Sequence, residues 1–240
     1  MIEVRPFDPN SATPAEWAAV HVFRRACNEE DTPDEPLPED AEFERQTRHR
    51  WPLNENRRWY AWAGDEIAGV IGWSFRREGT ADYNDYAAYL YGWCGVRTHR
   101  RRQGIASDLL RPLRDFMHER NKSVATFETS LPDGHAFLTA IGGALKHEQI
   151  ESRAPAANVD WAIAKRVKAA MMRLIHDRHP DIRFIATSNA NVNAPILSIN
   201  KRLGFAEHRR TASYQIGPDA ISDFLGRRVA NVRFKQPRGS

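Results

Sequence analysis

The chain has 240 residues, 41% of them hydrophobic, with 35 Lys and Arg against 31 Asp and Glu. That is enough apolar material for one large core or two small ones, and the mild positive charge is that of an ordinary folded protein, not of a nucleic-acid-binding face. No run approaches the ~20 apolar residues that span a bilayer, the start Met1–Pro6 lacks a signal pattern, and Cys27 and Cys94 show neither metal nor disulfide spacing. The expectations are a cytoplasmic protein with reduced thiols and with no membrane, metal or nucleic-acid partner.

Ile2 to Pro6 alternates as a strand does, and Thr13 to Cys27 carries Trp17, Val20, Phe23 and Ala26 at helical spacing behind a Ser11 or Thr13 cap. Nine carboxylates follow without a Lys or Arg: Glu29, Glu30, Asp31, Asp34, Glu35, Glu39, Asp40, Glu42 and Glu44. Pro33, Pro36 and Pro38 rule out one continuous helix there, and a polar helix is expected from about Glu39 to His49. Trp59–Ala63 and Ile67–Phe75 read as strands joined through Gly64-Asp65 into a hairpin. Ala87 to Val96 reads as the next strand. After a basic turn, a helix from Ile105 to about Arg120 turns Leu109, Leu110, Leu113, Phe116 and Met117 inward. Val124–Thr129 is then a strand, His135–Ile141 a short helix and Ala144–Ser152 another strand, an order that predicts a mixed α/β fold.

A divergent repeat follows. Phe116-Met117-His118-Glu119-Arg120 lies on Leu174-Ile175-His176-Asp177-Arg178, Thr129-Ser130 on Thr187-Ser188, and Ile141-Gly142-Gly143 on Leu203-Gly204-Phe205. The second copy lacks the opening strands of the first, and its counterpart of the basic turn, Val159-Asp160-Trp161-Ala162, has neither glycine nor positive charge. The domains are therefore expected at 1–154 and 155–240, the latter only a closing half. Three explanations of that half stay open: residues missing from about Asn158 to Arg166, a sheet completed against copy one, or cover by a second chain, which would make a homodimer.

In Cys94-Gly95-Val96-Arg97-Thr98-His99-Arg100-Arg101-Arg102-Gln103-Gly104-Ile105-Ala106, a strand ends, the chain turns tightly and a helix begins. Free backbone N–H groups and the helix dipole attract a phosphate at such a place, Gly104 lets the backbone approach, and the arginines add attraction for a polyanion. The spacing Arg101-x-x-Gly104-x-Ala106 directly after a Val-ended strand resembles the acetyl-CoA loop of the GNAT superfamily. Thr187-x-Asn189 through Asn193 and Asn200 to Leu203-Gly204-Phe205 is similar to the closing half of a second GNAT domain, as in the tandem-GNAT group.

The resemblance implies a mixed, splayed sheet flanked by helices, acetyl-CoA as cofactor, and acetyl transfer to a small-molecule amine. Cofactor contacts would come from Gly95, Val96, Arg101, Arg102, Gln103, Gly104, Ile105, Ala106 and Ser107. A bulge in the fourth strand would turn a backbone N–H near Gly95 and Val96 onto the thioester carbonyl. The tyrosine many relatives use as thiolate acid is absent, since Leu138 and Asn200 occupy the matching positions. Tyr91, or Glu128 acting through water, is then the catalytic candidate, against the plainer readings of a core aromatic and a solvated strand end. Cys94 is expected to be structural. Glu29, Glu30 and Asp31, in the segment that borders the acceptor pocket in the family, and Trp93 are the substrate-binding candidates, the carboxylates drawing a cationic amine. Two other readings stay open, a protein N-terminal acetyltransferase and a non-catalytic acyl-CoA-binding protein.

Overall fold

The computed structural model describes residues 2–155, 174, 177–179 and 182–234. In chain order they form β1 (Glu3–Pro6), α1 (Pro14–Asp31), α2 (Asp40–Arg48), β2 (Asn54–Ala63), β3 (Glu66–Arg76), α3 (Tyr83–Tyr86) and β4 (Tyr89–Val96). A 3-10 turn (Thr98–Arg100), α4 (Ile105–Glu119), β5 (Val124–Thr129), α5 (Pro132–Ala140), β6 (Ala144–Pro155), β7 (Phe184–Ala190), α6 (Ala194–Arg202), β8 (Ala206–Ile216) and α7 (Pro218–Phe234) follow. The chain divides into two compact units, one of Met1–Phe127, Ala136–Ala144 and Gln215–Ser240, the other of Glu128–His135 and Leu145–Tyr214. The expected mixed α/β architecture is present, and the short α3, which buries nothing and so leaves no periodic signal, is an addition to it. Among the described residues no helix is long and apolar enough to cross a membrane.

In the first unit the strands lie in the order β1-β2-β3-β4-β5, antiparallel except for the parallel pair β4 and β5. Helix α1 starts at a reciprocal cap: Glu16 N–H donates to the Thr13 hydroxyl at 3.2 Å, and Thr13 N–H donates to the Glu16 carboxylate at 2.8 Å. Its inward Trp17, Val20 and Phe23 pack with Phe7, Tyr60, Trp62 and Ile67. On the opposite face α4 buries Leu109, Leu110, Leu113 and Met117, and Phe116 lies 5.2 Å from the Trp73 ring and 4.9 Å from Phe75. Strand β3 is therefore covered on both faces, which is why it reads as a nearly continuous apolar run.

The second unit has strand order β8-β6-β7, with β6 and β7 antiparallel from Gln149↔Ala190 to Pro155↔Phe184. Ala154, Leu203 and Phe205 form its buried cluster. The repeat shows here at the level of single hydrogen bonds. Gly142 and Gly204 both take φ +87°. Gly143 N–H reaches Leu138 O at 2.9 Å and Phe205 N–H reaches Asn200 O at 3.0 Å, so α5 and α6 close in the same left-handed C-cap. The expected counterpart Val159–Ala162, the continuity of the chain from Asn158 to Arg166, and Ile175 and His176 of the repeat lie outside the described residues.

Candidate active site

Between β4 and α4 the backbone turns left-handed twice, at Arg102 (φ +62°) and at Gly104 (φ +92°), the second being the N-cap of α4. Only glycine takes that conformation without steric cost. Ser107 and Asp108 N–H groups fold back onto Gly104 O at 3.0 and 3.1 Å. Among the described residues nothing accepts from the N–H groups of Arg102, Gln103, Gly104, Ile105 and Ala106. Five consecutive donors at a helix N-terminus make an anion cradle, and they fit a diphosphate.

The arginines around the cradle divide into clamps and one exposed cation. Arg101 donates to both Asp31 oxygens at 2.8 Å and to Val96 O at 3.0 Å. Arg97 holds Glu30 at 3.0 Å, whose other oxygen accepts from Thr98 N–H at 2.8 Å, and Arg100 holds Glu66 at 3.0 Å. Arg102 is exposed and makes no ion pair among the described residues. Partial burial opposes ionisation of Glu30, but the Thr98 N–H and the Arg97 guanidinium outweigh it and hold its carboxyl below the ordinary value. The last turn of α1 thus fixes the turn before α4. Gln103 donates to His99 O at 3.0 Å, and Ser107 is buried within α4.

Arg97 N–H donates to Ala68 O at 3.1 Å, and with the register Val70↔Gly95 this makes Gly95 a hydrogen-bonded partner of β3. Cys94 and Val96 alternate with it and turn their N–H groups the other way, toward the side where β5 would lie. Strand β5 pairs with β4 only from Tyr89↔Val124 to Gly92↔Phe127, so among the described residues no strand pairs with that side of β4 beyond Gly92. The expected bulge in β4 is absent, because the β3–β4 register runs without a shift. The irregularity lies instead in β2, between Ala61 and Trp62. Of the two positions expected to supply the donor, Val96 turns its N–H to the unpaired side of β4, together with Cys94, whereas Gly95 turns its N–H to β3.

Tyr91 is 58% and Trp93 36% exposed, so neither is a core residue. Cys94 touches solvent, yet crowding by surrounding protein pushes its thiol up to about 12, and a protonated thiol is a poor nucleophile. Glu29 is exposed on the last turn of α1. Glu128 is exposed one residue past the last β4-paired position of β5 and belongs to the second unit, whereas the other candidates lie in the first. Leu138 and Asn200, the positions without tyrosine, are buried. The clamp of Asp31 on Arg101 escaped sequence reading; its signal is the pair of oppositely charged runs, Glu29–Glu44 and Arg97–Arg102.

A sheet opened between two parallel strands, with a diphosphate cradle on the helix that follows, is the arrangement of a coenzyme-A-dependent acyltransferase. A model of the acetyltransferase (GNAT) family matches residues 17–140, and the chain belongs to that family. Its cofactor is acetyl-CoA. A search of curated protein sequences gave no match. Among solved structures, the tandem GNAT protein from the clavulanic acid biosynthesis pathway, without acetyl-CoA, superposes with a TM-score of 0.69 at 14% identity, over 91% of this chain and 99% of that one. A GCN5-related N-acetyltransferase from Sphaerobacter thermophilus superposes with a TM-score of 0.55 at 11% identity, over 90% and 96%. These likenesses are of fold, and the first agrees with the tandem type.

Proposed function

We propose that the protein is a cytoplasmic N-acetyltransferase acting on the primary amine of a small acceptor, with its working site in the first copy, residues 1–154, and an incomplete second copy at 155–240. The observation that carries this reading is the run of unpartnered N–H groups from Arg102 to Ala106 beside the freed half of β4. Those groups and Arg102 hold the diphosphate, and bound acetyl-CoA supplies an acetyl thioester, the electrophile of acyl transfer. Val96 and Cys94 N–H groups polarise the carbonyl oxygen. As the amine nitrogen bonds to the carbonyl carbon, the C–S bond to CoA breaks, and the proton that the amine loses passes by way of water, with Tyr91 or Glu128 as the relay, to the departing thiolate. Of the three substrate-binding candidates on α1, Glu30 and Asp31 are engaged by their clamps, so attraction of the acceptor's ammonium falls chiefly to Glu29.

A thiol-release screen with acetyl-CoA against a broad amine panel tests the proposal. Release that depends on the amine, with the acetylated amine found by mass spectrometry, is the expected result. CoA binding without turnover on any amine would instead favour a non-catalytic acyl-CoA-binding protein.

A further inference from the structure

Beyond α1, the face of the sheet that carries that helix is left partly open among the described residues at β2 and β4, a lane where Tyr91 and Trp93 are exposed. Arg58 on β2, Gly72 on β3 and Trp93 on β4 are neighbours across three strands, by the register Arg58↔Gly72 and Gly72↔Trp93. Gly72 makes the lane possible: a Cβ there would overlap the Trp93 ring, so the indole leans over Gly72 toward Arg58. The Arg58 guanidinium lies 5.7 Å from the Trp93 ring and 5.8 Å from the Phe43 ring, between two aromatic walls. Tyr91, two residues before Trp93, shares its face and is still more exposed.

Arg58 is unlike the arginines around it. Arg57 holds Glu55 at 3.2 Å and Arg24, over the same Phe43 ring, holds Asp40 at 2.6 Å. Arg58 reaches only the Tyr60 hydroxyl, at 3.5 Å, and among the described residues no carboxylate pairs with it. A partly buried guanidinium held between rings keeps its planar fork free, and that fork matches a carboxylate in bidentate geometry. The aromatic floor beside it suits an apolar or flat side chain. Trp93 directly precedes Cys94, one of the two donors turned to the opened side of β4, so the lane borders the reacting end of the site.

We propose that the acceptor carries a carboxylate as well as its amine, that the carboxylate docks on Arg58, and that the acceptor's side chain lies on Trp93. The substrate class is then an amino acid or an amino-acid-like amine. This rests on the acetyl-transfer reading and narrows it.

The test uses the full chain, acetyl-CoA and amines in matched pairs with and without a carboxylate, such as phenylalanine against phenethylamine and 6-aminohexanoate against hexylamine. The carboxylated member is expected to be the better substrate, and Arg58→Gln is expected to raise its KM about tenfold or more, as loss of a charge-assisted bidentate pair does, while KM for acetyl-CoA and for the partner amine stays put. Acetylation of the uncarboxylated amines alone, or an Arg58→Gln variant that treats both members of a pair as the parent does, would overturn the docking role and leave acetyl transfer standing. No turnover of any amine by a protein that still binds CoA would overturn acetyl transfer and this proposal together.

Discussion

Asp31 and Arg101 meet across 70 residues of chain, and the pair, only partly exposed at 22% and 19% of the side chains, ties the last turn of α1 to the cofactor turn. Because the pair is bidentate and largely shielded, Arg101→Met is expected to cost about 1–3 kcal/mol in urea unfolding and to weaken CoA binding severalfold, since the cradle loses its anchor. Glu30 adds a pH dependence. Its folded carboxyl is held below the ordinary 4.5, so the stabilisation it gives is full above that value and drains as pH falls through it toward the lower folded value. Stability in urea measured against pH should therefore be level, as far as Glu30 contributes, from neutrality into the mildly acidic range and fall off only in acid, and Glu30→Gln should remove its share of that fall. Gly104 was legible in the sequence because a turn that cradles a phosphate needs a residue without a Cβ for the backbone to approach. The clamps were not, because pairing between two charged runs is decided by how the elements pack and leaves no spacing to read.

Helix α1 and the β2–β3 hairpin could be read from pattern alone. The Thr13 cap, Pro14 and the apolar stripe announce the helix, and Gly64 at φ +67° supplies the turn. Thr13→Ala removes the hydroxyl that accepts from Glu16 N–H and is expected to lower stability by about 1 kcal/mol in urea unfolding, with CoA affinity unchanged. Strand β4 was harder. Its aromatic residues suggest core on both faces, but Leu90 is buried under α4 whereas Tyr89, Tyr91 and Trp93 are exposed on the other side. Residue type tells that a strand is amphipathic and not which face its neighbours cover. The splay of β5 from β4 leaves no local signature, since β5 reads as an ordinary buried strand on both sides of Phe127.

For the whole molecule, the repeat visible in the sequence reappears as the matched C-caps at Gly142 and Gly204, and the tandem GNAT likeness extends over 91% of the chain. The proposed division at 154 and 155 follows the repeat, whereas the compact units interleave the chain, because strand neighbours in a sheet need not be neighbours in sequence. What the molecule does as a unit depends on one claim, that the turn before α4 holds acetyl-CoA. Calorimetric titration of CoA into the parent and into Gly104→Glu tests it most directly, with circular dichroism to show that the variant is folded. The substitution puts a side chain and a negative charge where φ is +92° and the free N–H groups converge. One CoA bound by the parent and a loss of about 100-fold or more in the folded variant is the result predicted from strain and like-charge repulsion in a phosphate cradle. CoA binding by Gly104→Glu as tight as the parent's would contradict it.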